Sequence, residues 1–232
     1  MSKNMLDPII RALVGVPEPR LGVVADIANR LNSDRGDDWN ARLKVVLREG
    51  LPSLVATTTA FERNTNGHII ISFAGFDLTG VEEIARLEAA GYRVGDYAKS
   101  CFKSTASDSY DANHRLVVGQ LYKVALVPGK EIARNSDRTT TNLRKLGEKY
   151  GYGKPLAGLI PRIRETVSDK QMEEMEIWYI ASLHDPIKDS DGDPDVLHAL
   201  RGADGLWVST FWGSPDFQWS DSGAFAFLVL AS

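Results

Sequence analysis

The sequence has a single cysteine, Cys101, among its 232 residues. One cysteine excludes an intramolecular disulfide and a cysteine-rich metal cluster, so the fold must be held together by packing. Long apolar runs are also missing, because Asp7 and Arg11 interrupt the short apolar stretches of residues 1–20. We therefore expect neither a signal peptide nor a membrane span. A disulfide-free chain suits a reducing compartment, and we expect a cytoplasmic protein with no membrane partner.

Basic residues are scarce towards the C-terminus. Residues 181–232 contain eight acidic and two basic side chains, a net charge of −6, whereas the whole chain carries −4. A segment this acidic repels the phosphate backbone of nucleic acids. We therefore expect no nucleic-acid partner and a ligand whose surface is neutral or basic.

Recognisable catalytic motifs are absent as well. The four histidines show no HExxH spacing, and the chain contains neither a GxSxG nucleophile elbow nor a phosphate-binding P-loop. His184 precedes Asp185, an arrangement that suits a general base, but a histidine at a strand end is more often structural. We expect no catalytic residue, no cofactor and no enzymatic activity.

Hydrophobic periodicity divides the chain into two regions. The pattern favours short helices in the first third, a strand at residues 67–73, and helices within residues 77–91 and 95–104. Asp77 or Thr79 is expected to cap the helix in residues 77–91, and Gly91 to end it. The polar residues 104–113 then predict a linker. The prediction is a mostly helical N-terminal region with one or two strands, residues 1–112, and a second domain, residues 113–232.

The second domain has the element order of an α+β fold. A β-rich run at residues 115–129 precedes two helices within residues 138–153 and 154–167, and Ser168 and Gln171 have capping-box spacing for a third helix. Residues 176–187 predict a strand. The unbroken apolar run at residues 223–232 predicts a strand buried between other elements. Between these two strands, the stretch "GLWVSTFWGSPDFQW" predicts irregular β-structure.

Three segments enclose that stretch: "LVVGQLYKVALVPGKE", "YGYGKPLAGLIPRIRETVSDKQMEEMEIWYIASLHDPIKDSDGDP" and "GAFAFLVLAS". Together with Arg201, Gly205 and Trp207 ahead of "GAFAF", they make residues 113–232 resemble the C-terminal domains of C-type lectin-like variable proteins diversified by retroelements. The resemblance implies a C-type lectin-like fold that carries variable side chains on a fixed scaffold. It also implies that a reverse transcriptase copies a template repeat with errors at adenines, and that the mutated copy replaces the variable end of the gene.

The composition of residues 196–217 is consistent with such mutagenesis. Changing the adenines of an AAC codon cannot produce Lys, Glu, Gln, Met or Trp, and this window contains none of these except two tryptophans. We interpret both tryptophans as scaffold. The same absence also occurs in ordinary loops that are poor in Lys and Glu.

The expected surface combines a tryptophan scaffold with displayed residues. Trp207, Trp212 and Trp219 are interpreted as scaffold, because large rings bury the apolar area that a disulfide-free region needs. Phe211 and Phe217 are the expected anchors among small residues, as in an antibody paratope, and core packing is the alternative for both. The candidate ligand-binding residues are His198, Leu200, Gly202, Ala203, Ser209, Thr210, Phe211, Gly213, Ser214, Phe217 and Ser220.

The run "DSDGDPD", residues 189–195, places aspartates at alternate positions. An EF-hand needs Gly at loop position six and Glu at twelve, but this loop has Gly192 at four and Leu200 at twelve. We expect a solvated acidic turn and no metal, with a calcium site of another shape left open. The chain also lacks the Glu-Pro-Asn and Trp-Asn-Asp motifs typical of calcium-dependent sugar binding.

These features predict a diversified protein that binds a macromolecular ligand, expected to be a protein, through a hypervariable surface between residues 198 and 222. The alternative is an enzyme or a calcium-dependent sugar binder on the same fold. The N-terminal region is expected to carry, oligomerise or dock the displayed domain, or to stabilise it as a cap.

Overall fold

The computed structural model describes residues 27–29, 31–34, 36–37, 40, 61–202 and 205–230. The chain divides into two compact units, Met1–Thr59 and Ala60–Ser232. In the first unit, residues 27–29, 31, 36–37 and 40 are helical. The rest of the helices predicted in the first third lies outside the described residues.

One mixed sheet organises the second unit. Its strands are β1 (Glu62–Arg63), β2 (Ile69–Ala74), β3 (Arg93–Val94), β4 (Leu121–Pro128), β5 (Tyr152–Gly153), β6 (Tyr179–Ser182), β7 (Ile187–Lys188), β8 (Pro194–Gly202), β9 (Gly205–Trp212) and β10 (Gly223–Val229). The main path of the sheet is β1-β2-β4-β10-β6-β8-β9-β3, with β5 added to β10 and β7 to β8. β10 runs antiparallel to β4 and parallel to β6.

Four of the six helices described in the second unit begin at a residue whose side chain caps them. The Thr79 hydroxyl and the Glu82 carboxylate form a capping box on the first helix, and Ser168 and Gln171 form another, as their spacing predicts. Gly91 has a φ of 84°, a left-handed conformation that glycine adopts without steric cost, and it confirms the predicted end of the first helix. The helices are α1 (Gly80–Ala89), α2 (Asp96–Lys103), α3 (Tyr110–Asn113), α4 (Thr140–Lys149), α5 (Leu159–Thr166) and α6 (Asp169–Glu174).

The core lies on both faces of the sheet. Ala224 and Ala226 of β10 pack in the cluster that contains buried residues of α1, α2, α5 and α6. Phe225 and Phe227, which alternate with them, pack in a second cluster with Leu143 of α4. The prediction of a buried strand at the end of the chain is confirmed, since β10 is central and covered on both faces.

The boundary predicted between residues 112 and 113 falls inside the second unit, which begins at Ala60. All six residues of β2 pair with β4 in an antiparallel ladder. The rings of Phe102 and Tyr110 meet with centroids 4.8 Å apart. Residues 104–113 are therefore a turn that ends in α3 rather than a linker. Local polarity misled the prediction, because pairing between β2 and β4 leaves no signal in the intervening sequence.

A large mixed sheet covered by several helices agrees with the predicted α+β class.

Candidate ligand-binding surface

β8 and β9 form a regular antiparallel hairpin. Its register runs from Asp195 opposite Trp212 to Gly202 opposite Gly205. Irregular β-structure was predicted for this stretch, and the structure corrects that prediction for residues 205–212. Five of the eight residues of β9 are Trp, Val, Thr or Phe, which favour strands, but apolar and polar residues do not alternate along it, so the periodicity did not indicate a regular strand.

Phe211 lies at the centre of an aromatic cluster on one face of this hairpin. Its ring stacks on His198 with centroids 4.0 Å apart and meets the edges of Tyr179 at 5.2 Å and Trp219 at 5.5 Å. The Phe217 ring lies 6.1 Å from Phe211 and 4.9 Å from Trp219. Both phenylalanines are half-buried. Each therefore packs on the core and still presents part of its ring to solvent.

Backbone hydrogen bonds fix the loop that carries Phe217. The N–H of Thr140 donates to the Phe217 carbonyl at 3.2 Å, and the N–H of Thr141 donates to the Pro215 carbonyl at 3.0 Å. The indole N–H of Trp219 donates to the Thr140 hydroxyl at 3.0 Å. The start of α4 thus serves as a rigid support for residues 215–219.

Six of the predicted candidates come together around this cluster, and we call them the aromatic face. Leu200, Ser209 and Phe211 share one side of the hairpin. The Ser214 carbonyl accepts from the Phe217 N–H at 3.1 Å, and the Ser220 carbonyl accepts from the Tyr179 hydroxyl at 3.1 Å. Ser220 is exposed and the other five are half-buried. The aromatic face comprises Leu200, Ser209, Phe211, Ser214, Phe217 and Ser220.

The other candidates occupy different environments. Gly213 is buried, and a Cβ there would lie 2.9 Å from a methyl carbon of Val196, so it is not a displayed position. Thr210 projects to the opposite side of the hairpin, because it alternates with Phe211. Gly202 lies at the end of the hairpin beneath the Trp207 ring, and Ala203 lies outside the described residues.

His198 is buried rather than displayed, with 1% of its surface exposed. Neither ring nitrogen has a hydrogen-bond partner. Burial lowers its pKa to about 3, so the ring is neutral at physiological pH. The sequence could not show this, because the Phe211 ring that covers His198 belongs to another strand.

The three tryptophans do not share one role. Trp219, which was predicted as scaffold, is buried with 2% of its surface exposed. Trp207 is half-buried, and the Arg93 guanidinium lies 5.3 Å from the centre of its ring. Trp212 was predicted as scaffold but is 52% exposed. It follows Phe211 in the strand and so points away from the aromatic face.

Sequence reasoning missed two contributors to this region. Tyr179 contacts three rings of the cluster, and burial raises its pKa to about 12. Trp178 is 55% exposed, and the Arg201 guanidinium stacks 4.2 Å from the centre of its ring. The strand predicted at residues 176–187 could have indicated both residues, because neighbouring side chains of a strand lie on opposite faces of the sheet.

The acidic run forms a tight turn, as predicted. The Asp189 carboxylate accepts the backbone N–H groups of Asp191 and Asp193, both at 2.9 Å. Burial, together with the smaller effect of the nearby charges of Asp189 and Asp193, raises the pKa of Asp195 to about 6. Among the described residues, no group of three or more His, Cys, Asp or Glu side chains could hold a metal ion.

His184 is fully hydrogen-bonded. Its Nδ1 donates to the Asp185 carbonyl at 2.6 Å, and its Nε2 accepts from the Leu197 N–H at 2.9 Å. Burial lowers its pKa to about 3. These bonds give the ring a structural role between β6 and β8.

His68 joins three other polar side chains. Its Nε2 lies 2.7 Å from the Glu131 carboxylate and its Nδ1 lies 2.6 Å from the Tyr152 hydroxyl, which also accepts from Asn64 at 2.5 Å. Each of these four side chains therefore has a hydrogen-bond partner within the network. The network ties the β1–β2 hairpin to the segment that ends in β5.

A small cavity lies beside α4. Its volume is ≈ 50 Å³, and its lining includes Arg144, Tyr152, Lys154 and Phe227. Arg144 is committed to the carbonyls of Leu183 and His184, at 3.1 and 2.5 Å, and Lys154 pairs with Asp185 at 3.0 Å. With both cations engaged, this cavity is a weaker candidate site than the aromatic face.

Comparison with protein-family models, with curated proteins and with solved structures finds no significant match for this chain. Within the described residues, no helix has the length and apolar character needed to cross a membrane.

Proposed function

We propose that this chain is a ligand-binding protein and that the aromatic face is its binding surface, carried on a C-type lectin-like scaffold and diversified by a retroelement. One observation carries the proposal. Candidates chosen from a stretch of 23 residues, 198 to 220, include six that converge on one half-exposed face around Phe211 and Phe217. Half-exposed rings beside small hydroxyl side chains suit protein recognition.

The support beneath the face is consistent with tolerance to change. Trp219 is buried and hydrogen-bonded to Thr140. The loop that carries Phe217 is fixed to α4 by backbone hydrogen bonds, which do not depend on the side chains that the loop carries. Replacing Ser209 or Ser214 therefore leaves these bonds intact, whereas replacing Ser220 also removes a hydroxyl that accepts the Ser222 N–H at 3.1 Å.

His198 gives a second line of support. Two buried ring nitrogens without partners cost stability, and such groups are rare in folded proteins unless the site serves another purpose. Position 198 lies directly under Phe211. A residue that is poor for stability directly beneath Phe211 suits a position retained for the way it supports that half-exposed ring.

The first prediction concerns binding. Phe217→Ala removes an anchor ring, and Ser214→Lys places a bulky charge on the aromatic face, so each should weaken binding of a partner captured from the source cell by at least about ten-fold, or about 1.4 kcal/mol. The measurement is surface-immobilised binding kinetics. Ser72→Lys, on the exposed side of distant β2, is the matched control and should bind normally. Normal binding by both aromatic-face variants, with chemical denaturation confirming that they are folded, would contradict the proposal.

A further inference from the structure

β9 is longer than the strand that covers its outer edge. β3 pairs only with Trp207 and Val208 of β9. The ladder stops there because the Gly95 carbonyl accepts the N–H of Lys99 at 2.8 Å and begins α2. In the part of the chain that the structure describes, no strand pairs with the outer edge of residues 209–212.

Hydrogen bonds show which backbone groups point out of this edge. The N–H of Gly95 donates to the Val208 carbonyl at 2.9 Å, so Val208 faces outwards. The direction of the backbone N–H and C=O groups alternates from one residue to the next along an antiparallel strand, so these groups of Thr210 and Trp212 also point out of the edge. Leu197, which lies opposite Thr210 in β8, supports this orientation, because its N–H donates to His184 and not to Thr210. Two N–H and two C=O groups therefore line an open edge.

The surroundings favour an extended, basic peptide on this edge. The rings of half-buried Phe211 and 52%-exposed Trp212 flank it on opposite faces. The acidic turn reaches the same place, because Asp195 pairs with Trp212 and the Tyr97 hydroxyl at the start of α2 hydrogen-bonds Asp191. A second copy of the chain, paired edge to edge, would bring two acidic turns together and repel.

We propose that residues 209–212 bind an extended segment of a partner protein that carries Lys or Arg, which adds a strand to β9 beyond β3. This proposal rests on the proposed function and specifies how its ligand docks. Main-chain hydrogen bonds to Thr210 and Trp212 supply affinity, and the aromatic face and the acidic turn select side chains.

The second prediction uses the full chain labelled with ¹⁵N and an octapeptide of alternating lysine and valine, blocked at both ends. The amide signals of Thr210 and Trp212 should shift during titration more than those of Ser209 and Phe211, whose N–H groups bond to β8. The same peptide N-methylated at every residue keeps its side chains and charge but loses its N–H groups. It should bind at least ten-fold more weakly, as should a glutamate–valine octapeptide.

The results of this titration distinguish the edge proposal from the proposed function. Equal binding of the N-methylated peptide, equal binding of the glutamate peptide, or no shift at Thr210 and Trp212 overturns the edge proposal. Shifts confined to Phe217 and Ser220 also overturn it but support the aromatic face. Concentration-dependent self-association that moves the Thr210 and Trp212 signals without peptide would assign the edge to a second copy instead.

Discussion

At the scale of single residues, the aromatic face and the residue buried beneath it have opposite effects on stability. Phe211 buries part of its ring against Tyr179 and Trp219, and this burial is favourable. His198, beneath it, holds two nitrogens without partners, which costs about 1–3 kcal/mol per unsatisfied group. Binding surfaces often retain such costs, since they are selected for contact with a ligand.

The third prediction tests this cost at His198. Replacing it with leucine removes both unpaired nitrogens but also loses the ring stacking on Phe211, so His198→Leu should raise the free energy of unfolding by a net of about 1–3 kcal/mol at pH 7. The folded pKa of about 3 lies below the unfolded value. The unfolded wild type therefore binds a proton that the folded state rejects as the pH falls through about 6.5.

The advantage of His198→Leu should accordingly grow by about 2 kcal/mol between pH 7 and pH 5. Urea denaturation at both pH values measures it, and His184 contributes equally to both proteins and cancels. Parallel pH profiles for variant and wild type would show that His198 finds a partner or solvent in the folded state.

At the scale of elements, the binding surface is divided between a hairpin and a loop that depends on a helix. β8 and β9 hold Leu200, Ser209 and Phe211 by strand pairing. Phe217 depends on the start of α4, where Thr140 accepts the Trp219 indole N–H. The two halves meet through ring contacts, and so the position of α4 determines the shape of the aromatic face.

The fourth prediction isolates that support. Thr140→Val keeps the side-chain shape but leaves the buried Trp219 N–H without an acceptor, which should cost about 1–3 kcal/mol in the free energy of unfolding. Thr141→Val loses a hydroxyl bond to the Pro215 carbonyl at a more exposed place, and we expect it to cost less than about 1 kcal/mol. Urea denaturation compares the two variants. Equal costs would show that α4 does not support the loop through Trp219.

Local signals predicted the elements well where side chain and backbone interact within one turn. The capping boxes at Thr79 and Ser168 and the glycine end of α1 are examples. The regular β9 strand was missed even though five of its eight residues favour strands, because its apolar and polar residues do not alternate.

The candidate site was predicted in part for the same reason. Phe211 and Phe217 were identified from composition, but the burial of His198 and the exposure of Trp212 depend on strand register. A shift of one residue exchanges the two faces of a strand. No local pattern in the stretch fixes that register.

At the scale of the whole molecule, the sheet places the aromatic face away from the strands nearest the first unit in sequence. β1 and β2 lie at one end of the strand order, and β8 and β9 lie towards the other. Residues 181–232, which include the proposed surface, carry a net charge of −6. This distribution would speed association with a basic partner by electrostatic steering.

The fifth prediction tests diversification of this surface, and sequencing the genomic locus measures it. We expect a reverse transcriptase gene nearby and a template repeat of the 3′ end of this gene that differs from it at adenines. The differing codons should include those of Ser209, Phe211 and Phe217, whereas the codons of buried Trp219 and Phe225 should be identical in both copies. A locus with neither element, or differences spread equally over buried and exposed codons, would contradict the account.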